Sequence, residues 1–247
     1  MRRREKGFTL VEVSFAIFVG LLLLSAAYVA MTSGQQSSAG VERKVAAQQD
    51  VRAAMQIMGL ELSMASYNPN YMPNLWHDLP AVGATVNCTP LATDKQEFKG
   101  IREATPTAIT VEMDLGESGL AGDAQGEIVR YEYVPGTDKQ FITRETANCG
   151  NPRNAGAAQP FLGADPSKGK PRTARVINDR HGIPVFQYYD AVGPGALLNP
   201  GGNSNDIPKI RRIDITLAVE TDEIDPSSRG RKQMVYSTSV LVRNHAF

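Results

Sequence analysis

Between Phe8 and Met31 the chain carries 24 residues with one charge among them, Glu12. As a helix this run is about 36 Å long, enough to cross the hydrocarbon core of a bilayer. Thirteen of its residues are Leu, Ile, Val or Phe. They favour insertion by about 4 to 8 kcal/mol, against about 3 kcal/mol for a central acid and less for one near an end. Insertion wins, so the rest of the chain folds attached to a membrane-competent stem.

Charge gives the stem a direction. Arg2, Arg3, Arg4 and Lys6 precede it against one acid, Glu5; taking these from the 26 basic and 26 acidic residues leaves 22 basic and 25 acidic residues beyond position 6. A short basic flank stays on the cytoplasmic side, which predicts a single-pass topology with the bulk of the chain outside the inner membrane. The 42% hydrophobic and 21% charged composition, with 22 Gly and 15 Pro, is that of a water-soluble fold rich in turns, neither multi-span nor disordered. Zero net charge leaves no electrostatic footprint for nucleic acid, and topology is the better explanation of MRRREK.

An acid inside a membrane span usually has a partner or a function. A cut after Gly7 would create an amino terminus at Phe8, about one helical turn from Glu12, and a neighbouring copy could bring amine and carboxylate together. A secretory signal peptide cut near Ser25, Ala26 and Ala27 would start the chain at Tyr28, but an acid in the apolar region is unfavourable for that class. An uncleaved anchor explains insertion and leaves Gly7 and Glu12 without a role.

On Lys6, Gly7, Phe8, Thr9, Leu10, Val11 and Glu12, directly before the apolar run, the chain resembles the type IV pilin family, which includes the pseudopilins of type II secretion. The resemblance implies a basic leader, residues 1–7, removed by prepilin peptidase between Gly7 and Phe8. It also implies N-methylation of Phe8 by the same enzyme and a role for Glu12 in subunit assembly. The domains expected are the leader, a membrane and assembly helix over 8–31, an amphipathic continuation over 32–66, and an extracytoplasmic β-rich domain over 67–247.

The residues beyond Met31 agree with that outline. TSGQQSSAG, with Gly34 and Gly40, lowers helix propensity. The helix then recovers: Val41, Val45, Val51, Met55, Met58, Leu62 and Ala65 recur at near-helical intervals, the last five as a clean stripe with charges on the other sides. Asn68, Pro69, Asn70 and Pro73 predict a stop near Tyr67. Alternation around Ile109 to Met113, Val129 to Tyr133 and KQFITRET predicts a half-buried antiparallel hairpin. A second pair runs over Ile213 to Val219 and Met234 to Val242. Residues 147–182 lack a period and predict a long surface excursion. The fold class is therefore α+β, a long N-terminal helix packed on an antiparallel sheet. FQYYDAVG, IRRIDITLAVET and YSTSVLVRN resemble the close of PilW-type minor pilins and of the J-type pseudopilin.

Other chemistry is sparse. Cys88 and Cys149 would close a loop worth about 4 kcal/mol as a disulfide on the oxidising side. His77, His181 and His245 have no ligand spacing and read as ordinary surface or core residues. GPGALLNPGG lacks a dinucleotide-binding context and reads as a loop. Asn203, Asp206, Asp222 and Asp225 lie in oxygen-rich stretches of the type that bind calcium, without a defined loop spacing, so solvated turns are the default and no cofactor is expected.

These features point to a structural subunit, not an enzyme: a minor pilin of a type IV pilus in its priming or tip complex, or a J-type pseudopilin. Expected partners are other pilins or pseudopilins in a filament, prepilin peptidase, the inner-membrane assembly platform and, before assembly, lipid. A reading of another class is an exported or membrane-anchored binding protein or enzyme whose folded domain acts alone.

Overall fold

The computed structural model describes residues 7–78, 89–90, 96, 99–136, 140–147, 158–163, 173–225 and 228–246. Cys88 and Cys149 lie outside the described residues. Helix α1 spans Leu10–Ser63, 54 residues, about 81 Å at 1.5 Å each. It runs unbroken through Gly34 and Gly40, where propensity is poorest. A Cβ at Gly40 would stand 2.9 Å from Asp225 Oδ1, so the glycine lets the 222–232 loop approach. Arg43 then clasps the loop through Glu223 at 2.6 Å and the Ile224 carbonyl at 3.2 Å.

The five-residue stripe of Val51, Met55, Met58, Leu62 and Ala65 is buried, joined by Ala47 and Ala54. Val41 and Val45 are exposed instead. At their level the helix meets the polar loop held by Arg43, so they have no sheet beneath them. The helix ends at Ser63, four residues before Tyr67, because Ser66 takes a left-handed φ of 64° and its N–H turns to the Glu112 carbonyl at 2.9 Å.

Twelve strands follow: β1 (His77–Asp78), β2 (Thr89–Pro90), β3 (Ile101–Ala104), β4 (Ala108–Glu112), β5 (Ile128–Val134), β6 (Phe141–Ala147), β7 (Gln159–Leu162), β8 (Ala174–Val176), β9 (Phe186–Tyr189), β10 (Leu197–Leu198), β11 (Arg212–Thr221) and β12 (Gln233–Leu241). β1 and β2 pair alone, β3 to β7 form one antiparallel sheet in chain order, and the second sheet runs β10-β9-β11-β12 with β8 also on β11. The α+β architecture expected from the sequence is present. One core joins α1 to both sheets, with Met58, Tyr131, Ile142, Phe186 and Leu217 inside it.

The first predicted hairpin differs in one respect: β4 is buried on both faces. Its core face holds Ile109 and Val111, while Thr110 and Glu112 on the other face lie under long charged neighbours. Thr110 donates to Glu103 at 2.9 Å, Arg130 bridges Glu103 at 2.8 Å and Glu132 at 2.5 Å, and Arg102 pairs with Glu112 at 3.1 Å. Alternation in sequence therefore marks chemistry, but an ion-pair layer can bury the polar side too.

The 147–182 stretch also holds more order than its composition suggests. It contains β7, β8 and a short helix α2 (Asn178–His181). Buried Asn178 ties this part to β11: its amide donates to the Thr216 carbonyl at 2.8 Å and its carbonyl accepts from Ala218 N at 2.9 Å. Elements of three and four residues leave no readable period. The two-residue β10 likewise falls within GPGALLNPGG, which read as a loop.

At the far end of α1 a buried polar joint closes the fold. His245, 1% exposed, donates from Nε2 to the Ile207 carbonyl at 2.8 Å and accepts the Ser66 hydroxyl at Nδ1, also 2.8 Å. Ser66 Oγ accepts from Gly100 N at 3.0 Å. Burial, with Lys99 and Arg211 adding to it against the Ile207 bond, holds His245 down to about 4 from 6.5. The folded protein thus prefers neutral His245 while the unfolded chain protonates it near 6.5, so stability is complete above that pH and falls as pH drops toward 4. The expected loss is about 3 kcal/mol. Denaturant unfolding at pH 7.5 and 4.5 should show most of this difference, and His245→Gln should flatten it; an unchanged pH slope in the variant would assign the effect to other groups.

Candidate functional site

From Phe8 to Met31 the stem has no protein around it: Phe8 is 85% exposed, Leu10 83%, and only Gly20 in the run is partly covered. The helix is long and apolar enough to cross a membrane. Its small polar side chains are satisfied by the helix itself. Ser14 donates to the Leu10 carbonyl at 2.9 Å, Ser25 to Leu22 at 2.8 Å, and Thr32 to Tyr28 at 3.0 Å. That removes the cost of a bare hydroxyl in an apolar medium.

Glu12 sits at the start of this helix, not in its middle. Thr9 is the N-cap, its hydroxyl accepting from Glu12 N at 3.2 Å, and Glu12 Oε2 accepts in return from Thr9 N and from the Thr9 hydroxyl, each at 3.2 Å. This capping box satisfies donors that a helix start leaves orphaned and sets a negative charge at the positive end of the helix dipole. The other carboxylate oxygen, Oε1, has no partner among the described residues. Phe8, Val13, Ala16 and Ile17 form a shallow apolar recess beside it. One oxygen is therefore occupied within the chain and one is open to an outside donor. The box is legible in the sequence as the Thr-x-x-Glu of TLVE, a signal within the chain that is separate from any pairing of Glu12 across an interface.

Gly7 and Phe8 precede the helix in non-helical backbone. Gly7 has nothing within 4 Å of where a Cβ would lie.

The head is locked to the other end of the helix. Glu61 accepts from Arg144 Nη2 at 2.5 Å and Nε at 3.0 Å, and also from the Tyr131 hydroxyl. Burial, and then Glu61, push the Tyr131 phenol well above its ordinary value. Two buried carboxylates organise the loop between β4 and β5. Glu127 accepts backbone N–H bonds from Gly116, Gly122 and Ala124 at 2.8 to 3.1 Å, and Asp114 accepts from Ser118 and Gly119 at 3.1 and 2.9 Å. Sequence reasoning passed over both, since two acids thirteen residues apart become related only when the loop closes.

The oxygen-rich candidates are not brought together. Asn203 caps the 3-10 helix Ser204–Lys209, and Asp206 pairs with Lys209 at 2.8 Å. Asp222 meets Arg175 at 2.6 Å, while Asp225 meets Lys232 at 3.0 Å and Ser228 at 2.9 Å. Among the described residues no group of three His, Cys, Asp or Glu side chains is arranged to hold a metal. His181 is exposed on α2 and His245 is the core residue of the joint above.

Residues 2–28 match the family model described as the prokaryotic N-terminal methylation motif. No curated protein and no solved structure matches the chain. The N-terminal segment over residues 2–28 thus carries a methylation motif of prepilin type, and the head is described by its own geometry.

Proposed function

We propose that the protein is a structural subunit of prepilin type, a minor pilin of a type IV pilus, inserted by α1, cut between Gly7 and Phe8, methylated on Phe8 and drawn into a filament. The observation that carries the reading is the methylation motif on a bare apolar stem whose lone acid is half engaged. In a filament the exposed stems bury one another. An ammonium from an adjacent subunit at Glu12 Oε1 then completes the carboxylate and offsets the desolvation of both charges. Its work is assembly and not catalysis, with other pilins, prepilin peptidase and the inner-membrane platform as partners. The stem spans the inner membrane with its N-terminus in the cytoplasm until extraction.

A place at the priming or tip complex is supported by the long irregular segments of the head, which would crowd a repeating shaft. Tip-most K-type pseudopilins usually lack the acid, so the presence of Glu12 argues for another subunit ahead of this one. The likeness of FQYYDAVG, IRRIDITLAVET and YSTSVLVRN to J-type pseudopilins supports a second reading, the same role in a type II secretion pseudopilus.

Co-expression with prepilin peptidase and mass spectrometry of the mature N-terminus tests the proposal. A methylated Phe8 start is the expected result. A start at Tyr28 would instead establish a secretory signal peptide, and an intact leader an anchored protein.

A further inference from the structure

Among the described residues β12 is the last strand of its sheet, and no strand pairs with its outer edge. Nine residues pair with β11 in unbroken register from Glu220↔Gln233 to Arg212↔Leu241. The strand, QMVYSTSVL, has no proline, no charge and no bulge. These are the devices by which exposed edges ordinarily discourage another strand, and none is present along β12.

A groove of about 660 Å³ follows this edge, walled on its other side by α1. Helix and strand run in the same direction: Gly40 lies at Asp225, Gly59 faces Val240, and Ser66 bonds His245. The helix wall from Arg52 to Ser63 is about 17 Å long, and Tyr236 to Leu241 measures about 17 Å as a strand, so the groove has the length of five or six extended residues. Met55 and Val240 lie in its floor, Arg52 and Arg243 are exposed among its lining residues, and among the described residues no acid lines it. Neither arginine has an ion-pair partner among the described residues. Gly59 keeps the helical wall low in the last turns of α1, at a helical position where glycine costs about 1 kcal/mol relative to alanine. A Cβ there would meet only Val240, at 3.8 Å, so the helix itself gives no reason for the glycine.

We infer that this groove receives an extended acidic segment of a neighbouring, unlike subunit, which adds as a strand to the free edge of β12 and presents carboxylates to Arg52 and Arg243. Main-chain bonds along the edge give affinity and the arginines give selection. Two copies do not pair with each other through β12. Antiparallel self-pairing of β12 would reverse one α1 against the other, whereas stems in one membrane or filament point the same way. It would also bring two sets of arginines to one seam. The inference rests on the assembly reading above and adds where an unlike partner holds the head.

The test uses the full-length chain in assembled filaments, with a photo-crosslinking amino acid at Gln56 or at Ser237 and the same filaments checked for the Phe8 N-terminus. Crosslinks from both positions are expected within one short, acid-bearing segment of a different filament subunit, and the β12 amides should exchange more slowly in filaments than in the detergent-solubilised chain. Gly59→Gln should keep its melting temperature and lower the crosslink yield about tenfold or more, as should the double variant Arg52→Glu, Arg243→Glu. Crosslinks to another copy of this chain, to a segment without acids or to nothing would overturn the inference, as would unaltered yields in both variants. If Phe8 is not the mature start or no filament contains the chain, the assembly reading itself has failed, which is a separate result.

Discussion

Glu12→Ala, supplied as the sole copy, is expected to be cut and methylated like the parent chain and to enter filaments at least about a hundredfold less. Removing one member of a buried ion pair strands the other charge in an apolar interface, a loss of about 3 to 5 kcal/mol. The geometry also separates two roles that alanine alone would confuse. Glu12 Oε2 belongs to the capping box with Thr9, while Oε1 is open. Glutamine can still close the box, because its side-chain oxygen accepts the Thr9 N–H, but it cannot neutralise an ammonium. Glu12→Gln should therefore restore the helix start and remain deficient in assembly. The checks are N-terminal mass spectrometry and quantitative immunodetection of sheared filaments. Wild-type incorporation of the glutamine variant would reduce Glu12 to a helix cap and remove the interfacial pair from the mechanism.

The second large effect lies at the other end of α1. A Cβ at Gly100 would stand 2.6 Å from Ser66 N and 2.8 Å from Ser66 Cα, and closer still to the Glu112 carbonyl oxygen. All three are backbone atoms, so no side-chain rotation relieves the clash. The same backbone holds the end of the helix: Ser66 N donates to Glu112 at 2.9 Å, and Gly100 N donates to the Ser66 hydroxyl that His245 reads. Gly100→Ala is expected to cost about 4 kcal/mol and to lower the melting temperature by about 10 °C. Gly193→Ala, with open space around it, should change little. Equal melting of the two variants would show that the joint yields more easily than close packing allows.

Much of this was legible along the chain. Contiguous apolar residues report a stem because each one adds to the same insertion energy, wherever the rest of the molecule goes. The stripe Val51, Met55, Met58, Leu62, Ala65 reports a covered helix because 3.6-residue spacing puts all five on one side. The long strands β11 and β12 were visible because nine or ten alternating residues outweigh chance. Short elements were not: β7, β8, β10 and α2 have two to four residues each, too few to carry a period. The exposure of Val41 and Val45, against expectation, depended on where a loop from position 222 happened to land.

The candidate site divides the same way. Gly7, Phe8 and Glu12 could be picked out because the chemistry of a cut, a new amine and an acid one turn away is local. The closing of Glu127 over three amides, the Ser66–His245 joint and the seating of α1 beside the open edge of β12 could not, since each joins residues that only the fold makes neighbours. Interactions within one helical turn are written in spacing, and so the stem, its start and its acid were determined by sequence alone. The pairing of residues tens to nearly two hundred positions apart is selected by the total burial and hydrogen bonding of the packed chain, and tertiary structure alone decided that, among the described residues, the outer edge of β12 stands beside α1 without a paired strand.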